Sequence, residues 1–149
     1  MSNSKEVEVS NTLIRGRLTE LRCLQYFLAQ GYIVSSPEIP CPYDFLLDVN
    51  GKIYKVQVKT CRLSSDNSYL EFNTSSMTHN SNGYTRRNYT ADDVDFFSTF
   101  YEGECYLIPF EDCGARAKRL RLLPTKNGQQ KNIAFAENYK AKEVLKGYS

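Results

Sequence analysis

A single histidine, His79, occurs in the 149 residues, and that scarcity removes every chemistry that needs several imidazoles. A Ser-His-Asp hydrolase would have to use His79 itself as its base, and nothing around it in the chain suggests that. The five cysteines, at positions 23, 41, 61, 105 and 113, are odd in number and contain no Cys-x-x-Cys pair. They argue against a zinc site or a disulfide framework and read as reduced, mostly packed thiols. No run of about 18 apolar residues exists, so no membrane-spanning helix is expected. The polar opening, Met1 to Ser10, lacks the basic-then-apolar order of a signal peptide, which makes a cytoplasmic location the expectation.

What is present suffices for a core. Apolar residues make up 41% of the chain and aromatics 13%, which excludes global disorder. The length fits one domain over residues 1–149. The net charge of +2 conceals a division along the chain. Residues 1–113 carry 10 Lys/Arg against 15 Asp/Glu, and residues 114–149 carry 9 against 2. A basic C-terminal segment is suited to phosphate, and an acidic remainder to cations. The same division also describes an ordinary solvated helix and loop.

Turn and periodicity signals outline the elements. Asn11 and Thr12 can cap a helix running to about Gln30, with Gly31 as its stop and an apolar stripe of Ile14, Leu18, Leu21, Leu24 and Leu28. Tyr32 to Val34 reads as a short strand before Pro37 and Pro40. Strands follow over Asp44–Val49, Lys52–Thr60 and Ser68–Thr74. Residues 75–90, rich in Ser, Thr, Asn and Arg, read as a long exposed loop. Thr90 to Asp93 can cap a short turn. Val94–Tyr101 and Cys105–Phe110 read as strands joined around Glu102-Gly103-Glu104, Arg119–Leu123 as a weak strand, and Ile133–Lys146 as a closing helix. The order gives an α+β or mixed α/β fold.

Asn50-Gly51 between two alternating runs signals a two-residue hairpin. Parity then makes Val49 face Lys52 and, if the ladder runs far enough, Asp44 face Gln57. Lys59 shares the face of Gln57. Facing side chains sit about 5 Å apart at Cβ, so an acid, an amide and an amine converge at the hairpin's open end. A solvated sheet edge with a weak ion pair explains this as well as a hard-cation site does. In the latter, Asp44 and the Gln57 carbonyl would supply oxygens suited to Mg²⁺.

Pro42-Tyr43-Asp44, twelve intervening residues, and Gln57-Val58-Lys59 resemble the PD-(D/E)XK nuclease signature. Gly16 and Glu20 match the upstream Gly-x-x-x-Glu of many members. Gly31-Tyr32-Ile33-Val34 with Pro37, Gln57 to Thr60, Tyr89 to Asp95 and Tyr106 to Pro109 are most similar to the small bacterial homing endonucleases encoded in group I introns. The resemblance spans residues 11–140. It implies a restriction-endonuclease-like core, a mixed β-sheet flanked by helices, and Mg²⁺-dependent hydrolysis of duplex DNA, with Mn²⁺ able to substitute. Asp44, Gln57 and the Val58 carbonyl would bind the metal. Glu20 would reach it or its waters, Gly16 would leave space beside Glu20, and Lys59 would orient the attacking water. The departure is Gln57, where most members carry an acid. An amide brings no charge, which weakens metal affinity and disfavours a second metal.

Duplex DNA is the expected partner, and no small-molecule substrate is implied. Arg86 and Arg87, with Asn80, Asn82 and Asn88, are candidates for reading bases, and Arg116, Lys118, Arg119, Arg121, Lys126 and Lys131 for phosphate contacts. One chain offers one active site, so cutting both strands implies a homo-oligomer, dimer or tetramer, on a long pseudo-palindromic target. A type II restriction enzyme or Holliday-junction resolvase would use the same residues. A catalytically silent DNA-binding module is the reading from another class. One histidine cannot supply an HNH or His-Cys box, and no LAGLIDADG-like helix occurs.

Overall fold

A computed structural model describes residues 4–80 and 83–148, with the side chains of all of these except 4–10, 77–80 and 84. A long helix, α1 (Ser4–Ala29), precedes β1 (Ile33–Ser35), β2 (Phe45–Val49), β3 (Lys52–Val58), β4 (Arg62–Leu63) and β5 (Tyr69–Asn73). Then come β6 (Ser75–Asn80), β7 (Gly83–Asn88), β8 (Phe96–Tyr101), β9 (Glu104–Pro109), β10 (Ala117–Arg121) and a short α2 (Ala141–Val144).

The central sheet has the order β1-β2-β3-β8-β9. Its β3–β8 pair is parallel and its other pairs antiparallel, so the sheet is mixed. A three-stranded sheet, β10-β5-β4, and the β6–β7 ribbon complete the strands.

Alternation along β8 and β9 explains the layering. Phe96, Cys105 and Leu107 join α1 residues Cys23 and Phe27 in one core. Phe97, Tyr106 and Ile108 point the other way, into a second core with Leu70, Phe72 and Leu120 of the smaller sheet. Successive strand residues face opposite sides, so this pair is buried on both. The central sheet is thus held between α1 and the smaller sheet.

Helix α1 begins well before Asn11. It ends as the sequence implies: Gly31 adopts φ +91°, and Tyr32 N–H bonds the Phe27 carbonyl at 3.0 Å. Its apolar stripe is a correction. Of the expected stripe only Leu24 packs against the core, beside Thr19, Cys23 and Phe27 on the side facing the sheet, whereas Ile14, Leu18, Leu21 and Leu28 are exposed, from 40% at Leu18 to 57% at Leu28. Two apolar rows share this helix, and a helical period locates rows without saying which one meets the core.

The expected loop over 75–90 is instead the β6–β7 ribbon, paired from Ser75↔Asn88 to Asn80↔Gly83. Polar composition concealed it, because a ribbon paired only with itself needs no apolar face. Asn82 lies outside the described residues. The expected closing helix over Ile133–Lys146 is also overturned. Arg121 N–H bonds the Ala134 carbonyl at 2.7 Å, and Phe135 and Lys140 bridge to Arg121 and Tyr106. These bonds draw the segment along two strand edges, and Lys140 is extended at φ −58°, ψ 134°. Only a 3-10 turn over Ala136–Tyr139, α2 and a further 3-10 turn are helical. Among the described residues, no helix is long and apolar enough to cross a membrane.

Candidate active site

Asn50 and Gly51 take φ 54° and 92°, the paired positive values of a tight hairpin turn. The register from Val49↔Lys52 to Phe45↔Val56 is the one parity requires. At the open end it changes. Asp44 N–H bonds the Val56 carbonyl at 2.8 Å, one residue short of Gln57. Its Oδ2 accepts the Val58 N–H at 2.7 Å, so the carboxylate satisfies a donor at the end of β3. Asp44 and Gln57 still come together. Both line a cleft of about 470 Å³ with Pro40, Cys41 and Pro42 on one side and Ser76, Arg87, Asn88 and Tyr89 on the other.

Glu20 and Lys59 do not line that cleft but stand near enough to act on the charge of Asp44, and a hydroxyl bridge links their neighbours. Thr60 Oγ1 donates to Thr19 Oγ1 at 3.0 Å, and Thr19 Oγ1 donates to the Arg15 carbonyl at 2.9 Å. This ties the turn of α1 that carries Glu20 to the end of β3 that carries Lys59. Glu20 is paired with Arg17 at 2.8 Å. Gly16, one turn earlier, has open space where a Cβ would stand. Lys59 Nζ donates to the Ser75 carbonyl at 3.3 Å and lies 5.0 Å from the Tyr89 ring centroid.

The electrostatics of Asp44 register this grouping. Burial is the main cause that pushes its carboxyl up to about 6, and the Val58 N–H opposes that rise. The Glu20 charge raises it further, while Lys59 and Arg17 pull it down. An ionised Asp44 is therefore under-compensated by the protein alone.

Among the described residues, no three His, Cys, Asp or Glu side chains group to hold a metal. The donors available are hard oxygens: the Asp44 carboxylate, the Gln57 amide and the Val58 carbonyl, with Glu20 nearby. Gln57 Nε2 lies 3.4 Å from the Val58 carbonyl oxygen. A half-turn of the amide puts Oε1 at that place. The donor set and the unmet charge on Asp44 fit one hard divalent cation, with fewer charges than a two-cation site uses.

The basic residues divide by engagement. Arg86 is exposed on the ribbon, while Arg87 lines the cleft and pairs with Asp93 at 3.7 Å. Arg116, Lys118, Arg119 and Arg121 border a groove of about 890 Å³ on the smaller sheet. Several are already bonded there. Arg119 Nε donates to Glu71 at 2.6 Å and stacks 4.5 Å over Tyr69, and Arg62 also pairs with Glu71. Lys118 donates to the Asp112 carbonyl at 2.6 Å, and Arg121 to that of Leu123 at 2.9 Å. Lys126 and Lys131 are exposed and do not line the cleft. The Arg17–Glu20 pair is the one an ordinary helix carboxylate would make, as the sequence allowed, whereas sequence reasoning missed Ser76 and Tyr89 as cleft residues and the Thr19–Thr60 bridge. Only the adjacency of Thr19 to Glu20 and Thr60 to Lys59 could have signalled that bridge.

Comparison with known proteins follows the same outline. Curated proteins contain no significant match. A solved structure described as that of a bacterial homing endonuclease, I-Ssp6803I, superposes with a TM-score of 0.70 over 90% of this chain and 91% of that one. The two share 24% identity, a likeness of fold. The family model for PD-(D/E)XK endonucleases matches residues 10–142, a span that includes Glu20, Asp44, Gln57 and Lys59, and the chain belongs to the PD-(D/E)XK endonuclease family.

Proposed function

We propose that this endonuclease hydrolyses phosphodiester bonds in duplex DNA, at specific sites and with Mg²⁺. The observation that carries the reading is Asp44: a partly buried carboxylate, held up to about 6, sharing a cleft with Gln57 and acted on by Glu20 and Lys59. Asp44, Gln57 and the Val58 carbonyl would hold the cation, with Glu20 reaching it through water. When bound, the cation supplies Lewis-acid charge at the scissile phosphate. Val58 N–H keeps the Asp44 carboxylate oriented. Lys59 carries the second positive charge, offsets the phosphate and orients the water that attacks phosphorus. Arg87, at the cleft wall, would contact the strand being cut.

A two-stranded ribbon is narrow enough to enter the major groove, and β6–β7 with Arg86 would do so. The long ribbon beside a compact site favours a long target over a short one. A homing endonuclease, encoded within an intron and acting in the cytoplasm, is the biological role proposed. The fold shared with I-Ssp6803I, a bacterial homing endonuclease, supports that choice. Two strands require two such sites, and the exposed row Ile14, Leu18, Leu21 and Leu28 offers a surface for a second copy of the chain.

The test is cleavage of a random duplex library with Mg²⁺, beside EDTA and Lys59→Ala, with the ends sequenced. Discrete metal-dependent ends within one long, near-symmetric site are expected, and Lys59→Ala should bind without cutting. Ends at a short, frequent site would make this a restriction enzyme. Specific retention of DNA with no cutting in Mg²⁺ or Mn²⁺ would make it a silent binding module. The uncharged Gln57 is the feature that favours that second reading.

A further inference from the structure

Two contacts on Lys59 originate from one place in the fold. Its Nζ donates to the Ser75 carbonyl at 3.3 Å and lies 5.0 Å from the Tyr89 ring centroid. Ser75 opens β6, Tyr89 follows the last residue of β7, and Ser75↔Asn88 is the first pair of the ribbon. The ribbon root thus grips the lysine from both of its strands. Tyr89 is itself fixed from behind, with its ring edge-on to Phe97 at 5.4 Å and 85°. Phe97 is fully buried and registers against Gln57 across the β3–β8 pair. One ring therefore meets the ammonium, the wall of the cleft shared by Asp44 and Gln57, and the core.

The chemistry of these holders matters. A carboxylate would fix Lys59 by neutralising it, as Glu71 does for Arg119. A carbonyl oxygen and a ring face attract an ammonium while leaving its net charge intact for an incoming anion. Any shift of the ribbon relative to the sheet moves both holders together, because one sits on each strand's root.

We propose that Tyr89 is a positioning residue for Lys59, and that the ribbon root couples seating of the ribbon on DNA to placement of the ammonium at the scissile phosphate. This rests on the nuclease reading above. The ribbon would then govern the cutting rate as well as affinity. A poorly seated ribbon would bind and cut slowly.

The test compares Tyr89→Phe, which keeps the ring face, with Tyr89→Leu and Tyr89→Met, which keep apolar bulk without it. Single-turnover cleavage in Mg²⁺ and DNA affinity in EDTA are measured on each. Leu and Met should slow cleavage about 3- to 30-fold, the range a lost cation–π contact gives, with affinity nearly unchanged. Phe should cut at close to the parent rate. Independently of activity, lysines carrying ¹³C-methyl groups are observed by NMR in the metal-free protein, with the Lys59 signal assigned by its loss in Lys59→Arg. Ring shielding should move that signal upfield in the parent and in Phe, and release it in Leu and Met. Equal rates for Leu, Met and Phe, or a Lys59 signal indifferent to the ring, would overturn the proposal. If no protein cuts DNA, the nuclease reading fails and the coupling to cutting with it, while the NMR signal still decides whether Tyr89 positions Lys59.

Discussion

Replacing Asp44 by Asn should stabilise the metal-free protein at neutral pH. Asn keeps an oxygen for the Val58 N–H bond and removes the charge that burial opposes. The carboxyl sits at about 6 in the folded chain against an ordinary value of 3.8. A difference of about two pKa units corresponds to about 3 kcal/mol at most, and screening at a partly exposed group reduces this to about 1–2 kcal/mol. The sign follows from proton binding. Between about pH 4 and 6 the folded protein holds a proton that the unfolded chain has released, so stability falls as pH rises through that window and is then level. Urea denaturation in EDTA at pH 4, 5, 6, 7 and 8 measures it. The Asn variant should match the parent at pH 4 and exceed it by about 1–2 kcal/mol at pH 7. Adding Mg²⁺ should then raise the parent and leave the variant unmoved. A variant no more stable than the parent at pH 8, or a gain independent of pH, would refute the claim that Asp44 is an under-compensated buried charge.

Gly16→Ala should stabilise α1 by about 1 kcal/mol, since a Cβ there meets open space and alanine is the better helix former. If the space serves DNA or water beside Glu20, cleavage should slow while the melting temperature rises; unchanged cleavage would end that role for Gly16. Arg121→Ala should flatten the salt dependence of DNA binding by nearly one unit of log–log slope. Arg119→Ala should flatten it less, because Glu71 already takes much of its charge, and an equal effect in both would refute that distinction. If the exposed row on α1 joins two copies as proposed, changing Leu18 and Leu21 together to Lys should give monomers in sedimentation and halt double-strand cutting. An unchanged sedimentation profile would remove this face of α1 from the interface.

Local chemistry was legible wherever it acted over a few residues. Asn50-Gly51 announced both its turn and the register as far as Phe45↔Val56, which brings Asp44 and Gln57 to one hairpin mouth although the pairing of those two themselves does not follow parity. The resemblance to the nuclease signature rested on the same residues. Gly31 ended α1 where a left-handed residue was needed. The ribbon stayed hidden for a physical reason: its strands pair with each other in solvent, so no apolar alternation marks them. The false closing helix had the reverse cause, since a segment with helical composition was taken up by open edges of β9 and β10.

What chain order and residue type settled here was therefore the hairpin, its polar end and the order of the main elements, all governed by turn geometry and the two-residue period of a strand. Folding in three dimensions decided which row of α1 meets the sheet. It also set the Asp44 N–H on the Val56 carbonyl, one residue short of Gln57, and its carboxylate on the Val58 N–H, and it brought Tyr89 and Ser75 to Lys59. Those outcomes depend on packing between elements far apart in the chain, where many pairings satisfy the same local pattern and only the joint burial of both cores selects one.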